Sequence, residues 1–165
     1  MEFFPGSRII NNFPDHFSFN LSNKKEKNNT IRFQQLDNLV LESSSSLSTA
    51  IIVMDASIKN DIATSILHVH LANHPMTKTV HHVTFVTSTE AKLFAIRCGI
   101  NQACNKENIS KIIVITDSIH AAKEIFNATF HSYQIHTAAI VKIVDGGLYF
   151  ILSFHFYFTS LSFSF

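Results

Sequence analysis

Two short apolar runs in this chain each end in an aspartate followed closely by a serine: Ile51-Ile52-Val53-Met54-Asp55-Ala56-Ser57 and Ile112-Ile113-Val114-Ile115-Thr116-Asp117-Ser118. Short, mostly β-branched runs suit strands covered on both faces, where charge enters only as the strand leaves the core. Strands of this kind lying side by side and parallel would bring both carboxylates out at one edge. Carboxylates that close repel one another unless a cation lies between them, and hard oxygen ligands suit magnesium or manganese. A metal site is therefore the first expectation.

The surrounding pattern supplies the elements such a sheet needs. Thr49 to Ser57 reads as a strand, Lys59-Asn60-Asp61 as a tight turn, Ile62 to Leu71 as a second strand, and Thr77 to Val86 as a third after the break at Asn73-His74-Pro75. Short turns between successive strands imply antiparallel hairpins, hence a three-stranded meander. Leu93, Ile96, Ile100, Ala103 and Cys104 then recur at helical spacing, so Ser88 to Asn105 reads as an amphipathic helix. A crossover helix ahead of the second Asp-ending strand is what parallel pairing requires. Ser118 can cap a further helix through Asn127, with Ala121, Ala122, Ile125 and Phe126 on its buried side, and a last helix is expected from Tyr133 to Val144.

Outside residues 47–145 the pattern weakens. Residues 1–46 mix polar and aromatic types, with an Asn/Lys stretch at 23–29 and a serine run at 43–46, and are expected to be a poorly ordered leader and linker. Only a weak strand at 30–33 or a helical turn near 36–41 is signalled there. Residues 146–165 are nearly all Phe, Ser, Leu, Tyr and Ile with no charge from Gly147 onward. The alternation at Phe154-His155-Phe156-Tyr157-Phe158 suits a strand better than a lipid-facing helix, so no membrane partner is expected. This tail reads as an atypical end, of the kind that read-through into noncoding sequence would give, and as an aggregation hazard.

A formal net charge of +1 gives no overall basic field, so any binding of nucleic acid would need a local patch. Lys106, Lys111 and Lys123 flank the strand ends and Arg97 lies on the intervening helix, where they could contact phosphates, although ordinary solvated surface is the commoner role of such groups. Cys98 and Cys104 are six residues apart on a helix and point in different directions, as reduced thiols. The N-terminus has an acid where a secretory signal wants base, so an intracellular location is favoured over secretion and no compartment is addressed. The histidines His68, His70, His74, His81 and His82 lack zinc-finger spacing and read as structural.

A third carboxylate falls between the aspartates, in Thr87-Ser88-Thr89-Glu90-Ala91 at the helix start. Thr87 and Glu90 also form a T-x-x-E capping box, which competes with a ligand role for Glu90. The order is strand Asp, hairpins, helix-starting Glu, strand Asp. With it the segments Val53 to Ser57, Ser88 to Ile96 and Val114 to Ser118 resemble the D-x-S strand, the S-x-E-A-E-x-x-A helix start and the T-D-S strand end of the ribonuclease H type 1 domain, particularly of the kind that follows reverse transcriptase in retroelements.

That resemblance, over residues 47–145, implies an RNase H-like α/β fold: a mixed sheet of an antiparallel meander plus a parallel strand, with flanking helices. It implies hydrolysis of the RNA strand of an RNA/DNA hybrid with two Mg2+ or Mn2+ ions. One ion would activate a water for in-line attack and the other would stabilise the leaving oxygen. Asp55, Glu90 and Asp117 would hold the ions, and Ser57 and Ser118 would support the site or contact substrate. The chain departs from the family after the second helix, where a fifth strand and a fourth acidic residue are expected. Asp145, the only acid after Glu124, comes too early to replace that ligand. The domain therefore looks C-terminally truncated, which makes a non-catalytic nucleic-acid-binding module the main alternative. A receiver-like or flavodoxin-like protein is disfavoured by the hairpins, because such folds join their strands through helices.

Overall fold

A computed structural model describes residues 8–20, 29–84, 87–106, 108–129, 132, 134–145 and 151–156. Its elements in chain order are α1 (Ile9–Asn12), a single 3-10 turn (Pro14–His16), β1 (Phe17–Asn20), α2 (Asn29–Ser44), β2 (Thr49–Lys59), β3 (Ile62–Leu71), β4 (Thr77–Thr84), α3 (Ser88–Cys104), β5 (Lys111–Thr116), α4 (Ile119–Phe126), α5 (Ile135–Asp145) and β6 (Ile151–Phe156).

The meander forms as the turn chemistry predicts. Asn60 and Asp61 both adopt positive φ (52° and 61°), the backbone of a two-residue hairpin turn whose twist matches the strands it joins. That turn sets the register from Lys59↔Ile62 to Ala50↔Leu71, and β3 pairs antiparallel with β4 from Ile62↔Thr84 to Val69↔Thr77. The expected extension of β4 to Val86 lies outside the described residues. After α3 the chain returns as β5, parallel to β2, with Thr49↔Lys111 through Val53↔Ile115 as partners.

The sheet does not lack a strand. Its order is β1-β6-β5-β2-β3-β4, and β6 pairs parallel with β5 from Lys111↔Ile151 to Thr116↔Phe156. The residues expected to be an atypical tail thus supply the strand after the last helix, and β1, from the expected unordered leader, pairs parallel with β6 on its outer side. The reason is the edge of β5: its run of fully buried residues, Ile112 to Thr116, would otherwise leave a row of backbone donors and acceptors unpaired.

Helices cover both faces. On one side α3, α4 and α5 place Leu93, Ile96, Ile100, Ala121, Ile125, Ile140 and Val144 against Ala50, Ile52, Met54, Ile112, Val114, Leu152 and Phe154. Each large apolar side chain fully buried there contributes about 1.5–3 kcal/mol relative to exposure. On the other side Leu36 and Val40 of α2 pack on Ile51, Ile113 and Ile115. A full helix therefore stands where a leader with at most a helical turn near 36–41 was expected. Its buried positions among the described residues are few, so its period is faint in the sequence, and the apolar back of β2 and β5 that it covers holds it in place. Ile9 seals the far end, donating its N–H to the Ala128 carbonyl at 2.7 Å and packing with Ala128 and Val141.

Candidate functional site

Val53 of β2 and Ile115 of β5 are register partners, and Asp55 and Asp117 each follow two residues later. The parallel pairing therefore delivers both aspartates to the same edge of the sheet, on adjacent strands whose spacing is about 4.8 Å. Asp55 is exposed, and its Oδ1 accepts a hydrogen bond from the Ala56 N–H at 2.8 Å. Asp117 sits where the chain leaves β5, and its Oδ1 is shut off from solvent.

The third expected member does not join them. Glu90 lies in the first turn of α3, where Thr87 Oγ1 accepts its backbone N–H at 3.2 Å. Its side chain lines a cleft of about 390 Å³ with Thr87, Thr89, Leu93, His120, Lys123, Glu124 and Gln134. Lys92, two residues on, faces Asp117 instead: its Nζ stands 2.9 Å from Oδ1, with the two side chains 13% and 27% exposed. At that distance the pair is bound by charge, although its angles fall short of a directed hydrogen bond, and the oxygen has no other partner among the described residues.

Helical period explains the exchange. Ile96, Gly99 and Ala103 form a fully buried stripe along α3, and stepping back one turn from Ile96 gives Lys92. The stripe that begins at Glu90 runs through the half-buried Phe94 and Arg97 to the exposed Asn101. Residues 90 and 92 are about 200° apart around the axis, so only one of them can turn toward the strand ends. The helical spacing of the apolar residues carries this signal; the expectation at Glu90 came instead from the order of the acids and the likeness to the S-x-E-A-E-x-x-A helix start.

Of the two serines, Ser118 has a local duty. Ser118 Oγ accepts the Ala121 N–H at 3.1 Å as the cap of α4, and its own N–H donates to Thr116 Oγ1 at 3.1 Å. Ser57 is exposed beside Thr64, which contacts His82 Nδ1 at 3.2 Å. Two of the other histidines also have defined neighbours. His70 Nε2 meets the Ser44 carbonyl at 3.0 Å, and His81 packs edge-on against Phe94. Arg97 covers the same Phe94 ring at 5.4 Å. Cys98 and Cys104 are free thiols, and burial pushes both above the usual thiol range, with Arg97 partly opposing this at Cys98.

No protein-family model matches the chain, and no curated protein matches it in sequence. Among solved structures the chain is similar to the crystal structure of RNase H1 from the halophilic archaeon Halobacterium salinarum NRC-1. The TM-score is 0.50 at 11% sequence identity, covering 66% of this chain and 84% of that one. The fold is RNase H-like. At so low an identity the likeness fixes the architecture and leaves the chemistry to the side chains.

In this RNase H-like frame the donor set does not fit a pair of divalent ions. Two carboxylates share the edge, the third lines a cleft against α4, and an ammonium lies against the more buried aspartate. Among the described residues no three of His, Cys, Asp and Glu come together in a way that could hold a metal ion. Divalent sites for phosphoryl chemistry need several oxygen ligands facing the ions, and a fixed positive charge opposes entry of another cation. Among the same residues no helix is long and apolar enough to cross a membrane.

Proposed function

We propose that this protein is an RNase H-like nucleic-acid-binding module of retroelement type that holds RNA/DNA hybrid without hydrolysing it. The observation that carries the reading is the aspartate edge: Asp55 and Asp117 occupy the strand ends in register, while the helix presents Lys92 to Asp117 in place of a carboxylate. The retroelement lineage rests on the three ordered motifs around Asp55, Glu90 and Asp117. Hybrid would be read through backbone shape and 2′-hydroxyls, so little base preference is expected. Lys123, on the wall of the neighbouring cleft, is available for a phosphate contact, whereas Lys111 opens β5 and so lies at the opposite edge of the sheet from Asp117.

A second reading, metal-dependent cleavage of the RNA strand, is favoured by the register of Asp55 and Asp117 alone. One experiment separates the two. Labelled RNA/DNA hybrid is titrated with the purified protein in EDTA and then incubated with magnesium or manganese. Hybrid retained in EDTA, with the RNA strand intact after metal is added, is the expected outcome. Metal-dependent cutting abolished by Asp55→Asn would establish the hydrolase instead, and absence of binding at low salt would end both readings.

A further inference from the structure

We infer that Lys92 is a tethered cation that takes the place of a divalent ion at the aspartate edge, and that residue 92 alone decides whether this edge binds metal. The inference rests on the reading above for its context. Its own foundation is geometric.

Three features converge on it. The buried stripe of α3 directs position 92, not position 90, at the strand ends. Asp117 Oδ1 is closed to solvent and has no partner among the described residues apart from the Lys92 ammonium, so its charge is compensated from inside the fold. Asp55, delivered to the same edge by the β2/β5 register, is exposed, and among the described residues its Oδ1 accepts a bond from the Ala56 N–H. An edge of two carboxylates with one facing ammonium already has its counter-charge. Replacing that ammonium by a carboxylate would turn the same three positions into an oxygen cluster of the composition that magnesium and manganese prefer. Glu90 would play no part, because it stands about 200° around the helix from Lys92, which is the residue that meets Asp117.

The test is metal binding by the full chain with no nucleic acid present, read by calorimetric titration with MnCl2 and by thermal melting. The wild type should show no Mn2+-dependent rise in melting temperature. Lys92→Glu should melt lower than wild type without metal, from repulsion against Asp117, and should recover with Mn2+ while giving a measurable binding isotherm. Adding Asp117→Asn to that variant should abolish the isotherm. Glu90→Gln in the same background should leave it unchanged. Lys92→Gln, which removes the ammonium without supplying a ligand, should bind Mn2+ more weakly than Lys92→Glu by tenfold or more.

Mn2+ binding by the wild type as tight as by Lys92→Glu would overturn the inference. So would a folded Lys92→Glu that binds no metal, or one that stays unfolded in Mn2+, because a filled site must rescue it. Failure of the hybrid titration leaves these results untouched, so the two ideas fail separately.

Discussion

Gly99 of α3 lies so close to Ile52 of β2 that a Cβ on it would fall 2.7 Å from Ile52 Cγ2, and 3.0 Å from Leu67 Cδ1. No real Cβ occupies such a position, so this contact fixes how near the helix rides to the sheet. Gly99 shares its stripe with Lys92, and the same close approach holds the ammonium at Asp117.

The first prediction follows from that spacing. Gly99→Ala gains about 1 kcal/mol of helix propensity, but forcing a methyl into a filled core costs about 1–3 kcal/mol. A net loss of up to about 2 kcal/mol is expected, with melting lowered by up to several degrees. Adding Ile52→Val should return part of the loss, because it trims the side chain that the new methyl meets. Melting curves of the two single variants and the double variant check this.

The Lys92–Asp117 pair gives the second. Lys92→Ala leaves a solvent-excluded carboxylate oxygen without its counter-charge, which costs about 1–3 kcal/mol. Asp117→Asn removes the charge as well, and the double variant should be more stable than the sum of the two single losses indicates. A double-mutant cycle by urea unfolding should therefore report a coupling of about 0.5–3 kcal/mol. Independent, additive losses would mean that the two groups are neighbours without interacting.

His155 provides a dependence on pH. Burial, reinforced by Lys111, pushes its imidazole down from 6.5 to about 4, and its Nε2 lies 2.8 Å from Ser153 Oγ. A base with a lowered folded-state pKa takes up its proton more readily when unfolded. Its contribution is thus complete above about pH 6.5 and is lost as pH falls toward 4, a span of about 3 kcal/mol. Stability measured by denaturant unfolding should fall over that window, and His155→Gln should flatten the slope. An unchanged slope would place the acid sensitivity elsewhere.

The central elements were legible because their signals were local. Asn60-Asp61 announced the hairpin, the β-branched runs gave β2 and β5, and apolar spacing gave α3, so both strand-end aspartates could be placed at one edge before any coordinates. Lys92 is not singled out by the sequence reading although the helical period contains it, because the order of the acids and the S-x-E-A-E-x-x-A likeness assign the ligand to Glu90. The outer elements were illegible for another reason. Leu36 and Val40 of α2, and Phe17 and Phe19 of β1, gain their meaning from partners far along the chain. The composition of 146–165 reads as an atypical end and leaves open whether it joins the sheet, and Leu152 and Phe154 sit fully buried in the core.

That last point can be tested most directly at Phe154. Its ring is 0% exposed and stacks on Phe19 of β1 with centroids 4.9 Å apart and planes 6° apart, and Phe19 meets Phe126 of α4 edge-on at 5.1 Å. One side chain of β6 therefore ties together β1, the sheet and α4. Phe154→Ala should cost about 3–5 kcal/mol from lost burial and the cavity left behind. Phe154→Leu, which keeps most of the volume but not the stack, should cost less. Ending the chain after Asp145 should have a larger effect than either, because it strips the partner from β5 and leaves an apolar strand edge open to pairing with other copies. Light scattering and circular dichroism of the three variants should show a graded loss: folded with lowered melting for Leu, marginal for Ala, and aggregated for the shortened chain. A shortened chain that stays monomeric and melts like the full protein would show that β6 is dispensable to the sheet.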